Sequence, residues 1–500
     1  MVQTIIIILY FAVTVLIGVL SSKKSKSSDS FHGAAMGMFA IVAASAGEWL
    51  GGTATTGVSE YGFNFGLSGA WYTIANGIGV MFLALCFAKL YRSLNTVTVP
   101  GIIERFFGVK ARTVSSILLT IVMLAVGLSQ MIAAGKLGQS LLGFDFTVTV
   151  IVFAIIFIVY TLAGGMNAVA STNKLHLFVM YGGVIVAVIF ALTKVGGWGG
   201  FMDGIDAVET ADPSKNYFNM FSIGGTKVSS WIIAGLLGAC TAQAGIQPVL
   251  AAKDVPTAKK ACIITAFVAA PFGLFTALLG MIAKVMSHNG TLTDTLGNVV
   301  TDGKMALPTM MMHLHPIIGG LVLASILAAI LSTVSPIILS AGTMVTKDLY
   351  QRVLRPNATD AEVLKMSRIT TALSGVICAV GAIFLVNASA VLDLVYAAYS
   401  LRGAIFIVVL FGIYWRHASQ KASCISMICT GVVAVLWVAV KLITGAYPIS
   451  IGSFAITETY AAVVVAAVCM FIFSKIFKPT VEEIARKKPA KQIIAEAGNS

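Results

Sequence analysis

Ser45-Ala46-Gly47-Glu48-Trp49-Leu50-Gly51-Gly52-Thr53-Ala54-Thr55-Thr56-Gly57 sits in the middle of an apolar run over 36–61. Lipid offers no hydrogen bonds, so a span carrying this many glycines, hydroxyls and a carboxylate is broken where it lines a cavity or meets other partners. A second stretch of the same character follows at 235–248, with Gly235, Gly238 and then Cys240-Thr241-Ala242-Gln243-Ala244-Gly245-Ile246-Gln247-Pro248. The two runs lie five spans apart. Interrupted helices at matching positions of two five-helix halves point to an inverted-repeat transporter that binds its ion and solute near the bilayer midplane. Tight packing of small-residue helices is the other reading of the same glycines.

Apolar runs occur at 2–21, 36–61, 67–91, 113–142, 148–163, 168–195, 229–250, 259–286, 317–346, 366–386, 390–415, 422–442 and 456–477. The chain has 500 residues, 58% of them hydrophobic, with only 33 Lys+Arg and 20 Asp+Glu. Thirteen spans leave no room for a soluble catalytic domain. The reading is therefore an all-α polytopic membrane protein with 13 transmembrane helices, and not an enzyme. An odd count puts the termini on opposite sides, and 25 of the 33 basic residues fall in one alternate set of loops, which the positive-inside rule makes cytoplasmic. The orientation is N-out and C-in. The loop 196–228 agrees, with Asp203, Asp206, Glu209 and Asp212 against Lys215 and Lys227. The net charge of +13 reflects basic loops facing anionic lipid, so no nucleic-acid partner is expected. The seven cysteines all lie in apolar segments without disulfide or zinc spacing.

The ninth run carries Leu327-Ala328-Ala329-Ile330-Leu331-Ser332-Thr333-Val334-Ser335-Pro336, followed by Ser340, Thr343 and Thr346-Lys347-Asp348-Leu349-Tyr350. Sodium is a hard cation that takes oxygen ligands. Ser332 and Thr333 supply two hydroxyls, and the Ala329 carbonyl lies three and four residues before them on the same helical face. Back-bonding to the helix is the other use of such hydroxyls.

Together these residues resemble the sodium:solute symporter family. Two further stretches are similar to it: Tyr160-Thr161-Leu162-Ala163-Gly164-Gly165-Met166-Asn167-Ala168-Val169 with Thr172, and Gln243-Ala244-Gly245-Ile246-Gln247 leading to Leu250-Ala251-Ala252-Lys253. The resemblance implies a LeuT-like architecture: an extra N-terminal helix and basic loop (1–35), inverted five-helix repeats (36–195 and 229–415) around an extracellular loop (196–228), two further helices (416–477) and a cytoplasmic tail (478–500). It implies alternating access driven by sodium, with no cofactor besides that coupling ion. It places the sodium site on the carbonyls of Ala46, Trp49 and Ala329 and the hydroxyls of Ser332 and Thr333. Thr172-Asn173 stands where many relatives have Thr-Asp, and a neutral amide there points to one sodium per solute. Ala242 and Ala244 depart from the sugar carriers' pattern.

Arg402 lies deep in the eleventh run and needs a partner. Asp393, nine residues earlier, falls on the opposite helical face. Glu48 and a substrate carboxylate both remain open. Glu48 is either functional or satisfied by neighbouring backbone. With Gln130, Gln243, Tyr396, Tyr399 and Trp49 these residues form the expected solute lining, and Lys136 reads as a snorkelling lysine. The expected function is sodium-coupled import of a small carboxylate-bearing solute, such as an amino acid, a monocarboxylate or a pantothenate-like acid, by a monomer in the plasma membrane (the inner membrane of a bacterium). Proton coupling through Glu48, or sodium symport of a neutral or cationic solute such as urea or choline, is the alternative.

Overall fold

In hydrocarbon a helix satisfies every backbone group within its own segment, and the chain is accordingly 82% helical. The computed structural model describes residues 2–21, 27–142, 144–294, 296–385, 390–452 and 454–498, with side chains at all of these except 2–4, 140–142, 390–397, 442 and 498. Asp393 and Tyr396 thus lie outside the described side chains.

α1 (Val2–Ser21) and the short α2 (Ser28–His32) precede α3 (Met38–Trp49). The helix stops at Leu50, resumes as one wide turn over Thr53–Gly57, and continues as α4 (Val58–Phe65). α5 (Trp71–Phe82) and α6 (Ala88–Ser93) return across the layer to α7 (Val99–Phe107). α8 (Val109–Leu142) and α9 (Phe146–Lys194) follow, then α10 (Gly197–Ala211). α11 (Gly225–Gly238) and α12 (Gln243–Leu250) form the second interrupted helix. After α13 (Val255–Ala269), α14 (Phe272–His288) and α15 (Gly303–Met312) comes α16 (Pro316–Thr343), which runs on as a wider helix to Leu354. α17 (Asp360–Leu385), α18 (Ala390–Tyr414) and α19 (Gln420–Thr444) lead to a small hairpin of β1 (Ser450–Ile451) and β2 (Phe454–Ala455). α20 (Glu458–Ile476), α21 (Val481–Arg486) and α22 (Ala490–Gly498) complete the chain.

Among the described residues, each of the thirteen apolar runs lies largely on helix, with breaks in 36–61 and 229–250. Among the described residues, nine helical segments are long and apolar enough to cross a membrane, joined by three shorter apolar helices. The numbers differ because helices merge. α9 has 49 residues, about 73 Å at 1.5 Å per residue, more than twice a bilayer core. It bends at Gly165, whose φ of 52° and ψ of −138° suit a residue without Cβ. A Cβ at Gly165 would also run into Phe31. α16 is central: 83% of its apolar window is buried, against 33% for the windows on α19 and α20, which face outward. It packs on α9, α8, α17, α1 and α3.

Charged loops gather on two faces. On one, Arg112 bridges Glu104 and Asp348, each at 2.5 Å, and Arg352 binds Glu104 at 2.5 Å. Burial alone would raise the Glu104 carboxyl, but hydrogen bonds from Arg352 and Arg112 outweigh it and hold it below its ordinary value. On the other face, the Tyr217 hydroxyl donates to the Phe63 carbonyl (3.1 Å), and Trp71 donates to that of Met220 (2.8 Å).

Candidate functional site

The two interrupted helices pack on each other through α3 and α12, and neighbouring side chains satisfy the backbone groups freed at the breaks. The Gly52 N–H donates to Gln130 Oε1 (2.8 Å), and the Thr56 hydroxyl donates to the Gly52 carbonyl (2.8 Å). At the second break, the Tyr91 hydroxyl donates to the Cys240 carbonyl (3.0 Å). Thr241 donates to the carbonyl of Arg402 (2.6 Å), tying the break to α18. Ser45 joins the near halves by donating to the Gly245 carbonyl (2.8 Å). Between the breaks lies a cavity of about 30 Å³ walled by Trp49, Tyr72, Asn76, Trp231, Tyr399 and Arg402. That is room for a water-sized group. Its walls must part to admit an organic solute.

Arg402 and Glu48 form an ion pair at 2.8 Å, their side chains 2% and 1% exposed. The guanidinium also lies 4.9 Å from the Tyr399 ring centroid and 3.8 Å from Met123 Sδ. The Tyr399 hydroxyl meets that of Tyr72 at 3.0 Å. Oε2 of Glu48 and Nε of Arg402 are buried with no protein partner. The pair therefore keeps an unpaired acceptor on Glu48 and an unpaired donor on Arg402, and Arg402 itself lines the cavity.

On the other flank of α3, the Ser332 hydroxyl is 2.8 Å from the Ala329 carbonyl. The Thr333 hydroxyl reaches the same carbonyl at 3.1 Å and that of Gly47 at 2.5 Å. All four groups are buried. Ala46 and Trp49 belong to the same last turn of α3, and the Ala46 carbonyl accepts the Leu50 N–H (3.0 Å). These hard oxygens suit an alkali cation. Asn173 joins them: its Nδ2 donates to the Ser332 carbonyl (3.1 Å), and its Oδ1 is buried without a partner.

Gln130 and Gln243, expected in the lining, are engaged elsewhere. Gln130 caps the first break and contacts the Thr53 hydroxyl (3.3 Å). Gln243 accepts the Val99 N–H (2.7 Å) and donates to the Val97 carbonyl (3.1 Å), fastening α12 to the start of α7. It continues through Gln247 to Ser340 (3.1 Å) and the His32 carbonyl (2.9 Å). Lys136 is exposed. Tyr72, Asn76 and Trp231 are walls that the sequence did not single out, since helix periodicity alone does not separate a cavity aromatic from a packed one. Gly47 owes its place to its size. A Cβ there would run into the Ser332 carbonyl and the Asn173 amide, so its smallness permits the close approach of α3, α9 and α16.

A family model, the sodium:solute symporter family, matches residues 31–431. The chain is 27% identical over 457 residues to the osmoregulated proline transporter OpuE of Bacillus subtilis, covering 88% of this chain and 90% of that protein. It is likewise 27% identical over 448 residues to the high-affinity proline transporter PutP of the same organism, covering 84% and 89%. Among solved structures, a sodium-coupled sialic acid symporter in a substrate-bound outward-open state superposes with a TM-score of 0.79 at 18% identity, over 96% of this chain and 98% of that one. With broken helices meeting at a buried ion pair and an oxygen cluster beside it, this chain belongs to the sodium:solute symporter family, membrane transporters that are not enzymes.

Proposed function

We propose that this protein imports a small zwitterion of the amino-acid class with one sodium ion per solute. The coarser statement, sodium-coupled symport of a small solute, follows from the family. The Glu48–Arg402 pair carries the finer one. An isolated arginine at this depth would call for a net anion. Paired with Glu48 it makes a neutral site, in which the spare carboxylate oxygen suits an ammonium and the guanidinium suits a carboxylate. Four surrounding aromatic rings exclude water and favour a cationic end. The names of two relatives, both proline transporters, support the same class.

Ala329, Ser332 and Thr333 with the carbonyls of Ala46, Gly47 and Trp49 would hold the sodium ion. Asn173 offers a neutral oxygen where a carboxylate would attract a second cation, which supports a ratio of one. Proton coupling through Glu48 is less well supported, because that carboxylate is engaged by Arg402. We place the N-terminus outside and the C-terminus inside, with 13 crossings, in the plasma membrane and acting as a monomer. Uptake by proteoliposomes of radiolabelled amino acids, monocarboxylates, choline and urea tests the solute class. Accumulation of a neutral zwitterion alone is expected. Accumulation of a plain monocarboxylate or of choline in its place would contradict it.

A further inference from the structure

α4 and α11 are the far halves of the two broken helices, and each packs on other neighbours, α4 on α14 and α11 on α5 and α18. Side chains bridge them. Lys227, in the first turn of α11, donates to the Tyr61 hydroxyl on α4 at 2.7 Å. Its ammonium lies 4.6 Å from the Tyr61 ring centroid and 5.7 Å from that of Trp231. Tyr61 and Trp231 meet edge to face at 5.3 Å. Trp231 is a wall of the cavity and 7% exposed, whereas Tyr61 and Lys227 are half-buried. From Trp231 the contacts run inward through Tyr72 (6.2 Å) and Tyr399 to Arg402. A ladder of rings thus joins a half-exposed ammonium to the buried guanidinium. Among the described residues, no carboxylate lies within ion-pairing distance of Lys227; Glu60, beside Tyr61 on α4, acts on it only through space, and its direct partners are one hydroxyl and two ring faces.

We propose that Lys227 is the outer latch of the transport cycle and sets its preference for solutes bearing a carboxylate. Closed, it clamps α4 to α11 over the cavity. When Tyr61 and Trp231 separate, the freed ammonium faces the entrance and meets the carboxylate first. This rests on the reading of the Glu48–Arg402 cavity as the solute site.

The test uses Ala234→Cys, a position on the cavity wall, in a background with the native cysteines replaced. An impermeant thiol reagent is applied separately to right-side-out and inverted vesicles. A contact of this kind shifts an open–closed balance about two- to fivefold. Lys227→Met and Tyr61→Phe should each speed labelling by that factor, while Lys227→Arg stays near the parent rate. Lys227→Met should also raise KM for a carboxylate-bearing solute several-fold more than kcat changes. Labelling rates unchanged in both Lys227→Met and Tyr61→Phe would overturn the latch. The labelling needs neither sodium nor solute, so it reads the latch independently of the solute class. Acceleration confined to inverted vesicles would support the latch and overturn the proposed sidedness.

Discussion

Breaking the Glu48–Arg402 pair from one side should cost far more than removing it whole. In Arg402→Gln the Glu48 carboxylate, 1% exposed, keeps its burial and loses its 2.8 Å partner. An uncompensated buried charge of this kind typically costs about 3–5 kcal/mol. The change also removes the guanidinium from the Tyr399 face and from Met123. Glu48→Gln with Arg402→Gln leaves two neutral amides and no buried charge, so the double variant should regain most of the lost stability, with a coupling on the order of 2–4 kcal/mol. Tryptophan fluorescence during thermal unfolding in detergent follows stability, and proteoliposome uptake follows function. The double variant should fold and still bind an amino acid about a hundredfold more weakly, because truncating a buried, hydrogen-bonded charge pair costs a few kcal/mol of affinity. A double variant no more stable than Arg402→Gln would show that the pair does not form. A double variant with full transport would make the pair structural and refute its role in solute binding.

Ser332→Ala and Thr333→Ala should each raise the sodium concentration for half-maximal uptake, and the double change should abolish coupling; unaltered sodium dependence in both single variants would remove the site. Reversal-potential measurements should give one sodium per solute, and Asn173→Asp should add sodium cooperativity; a clear ratio of two in the parent would contradict the stoichiometry. The Glu104 carboxyl lies below its ordinary value of 4.5, so the folded state binds fewer protons there than the unfolded one, and its contribution is present above about pH 4.5 and lost as pH falls through the lower folded value. Thermal unfolding from pH 7 to pH 3 should therefore lose more stability in the parent than in Glu104→Gln, and parallel curves would contradict the network.

The helical membrane architecture was legible because burial in lipid demands long apolar runs, and these runs lie largely on helix. Both interruptions were legible as clustered glycines and hydroxyls, and α16 as the adjacent pair Ser332 and Thr333 one turn beyond Ala329. Helical phase argued against Asp393 as the partner of Arg402, and the partner the structure shows is Glu48. Phase could not choose between Glu48 and a substrate, because that contact crosses 354 positions of sequence and depends on how α3 meets α18. For the same reason Gln130 and Gln243 were read as lining: both are buried and polar, but their amides cap Gly52 and the start of α7. Asn173 stood out only through the family resemblance, as an amide where many relatives have a carboxylate, and only packing places it against the Ser332 carbonyl.

Coupling can be tested most directly in proteoliposomes that face an inward sodium gradient or an inward proton gradient, each imposed without the other, while accumulation of a radiolabelled zwitterionic amino acid is followed. Uphill accumulation should occur with sodium alone, fall sharply in Thr333→Ala, and vanish with the proton gradient alone. Equal accumulation driven by protons in sodium-free buffer would contradict the assignment of α16 and the end of α3 as the site of the coupling ion.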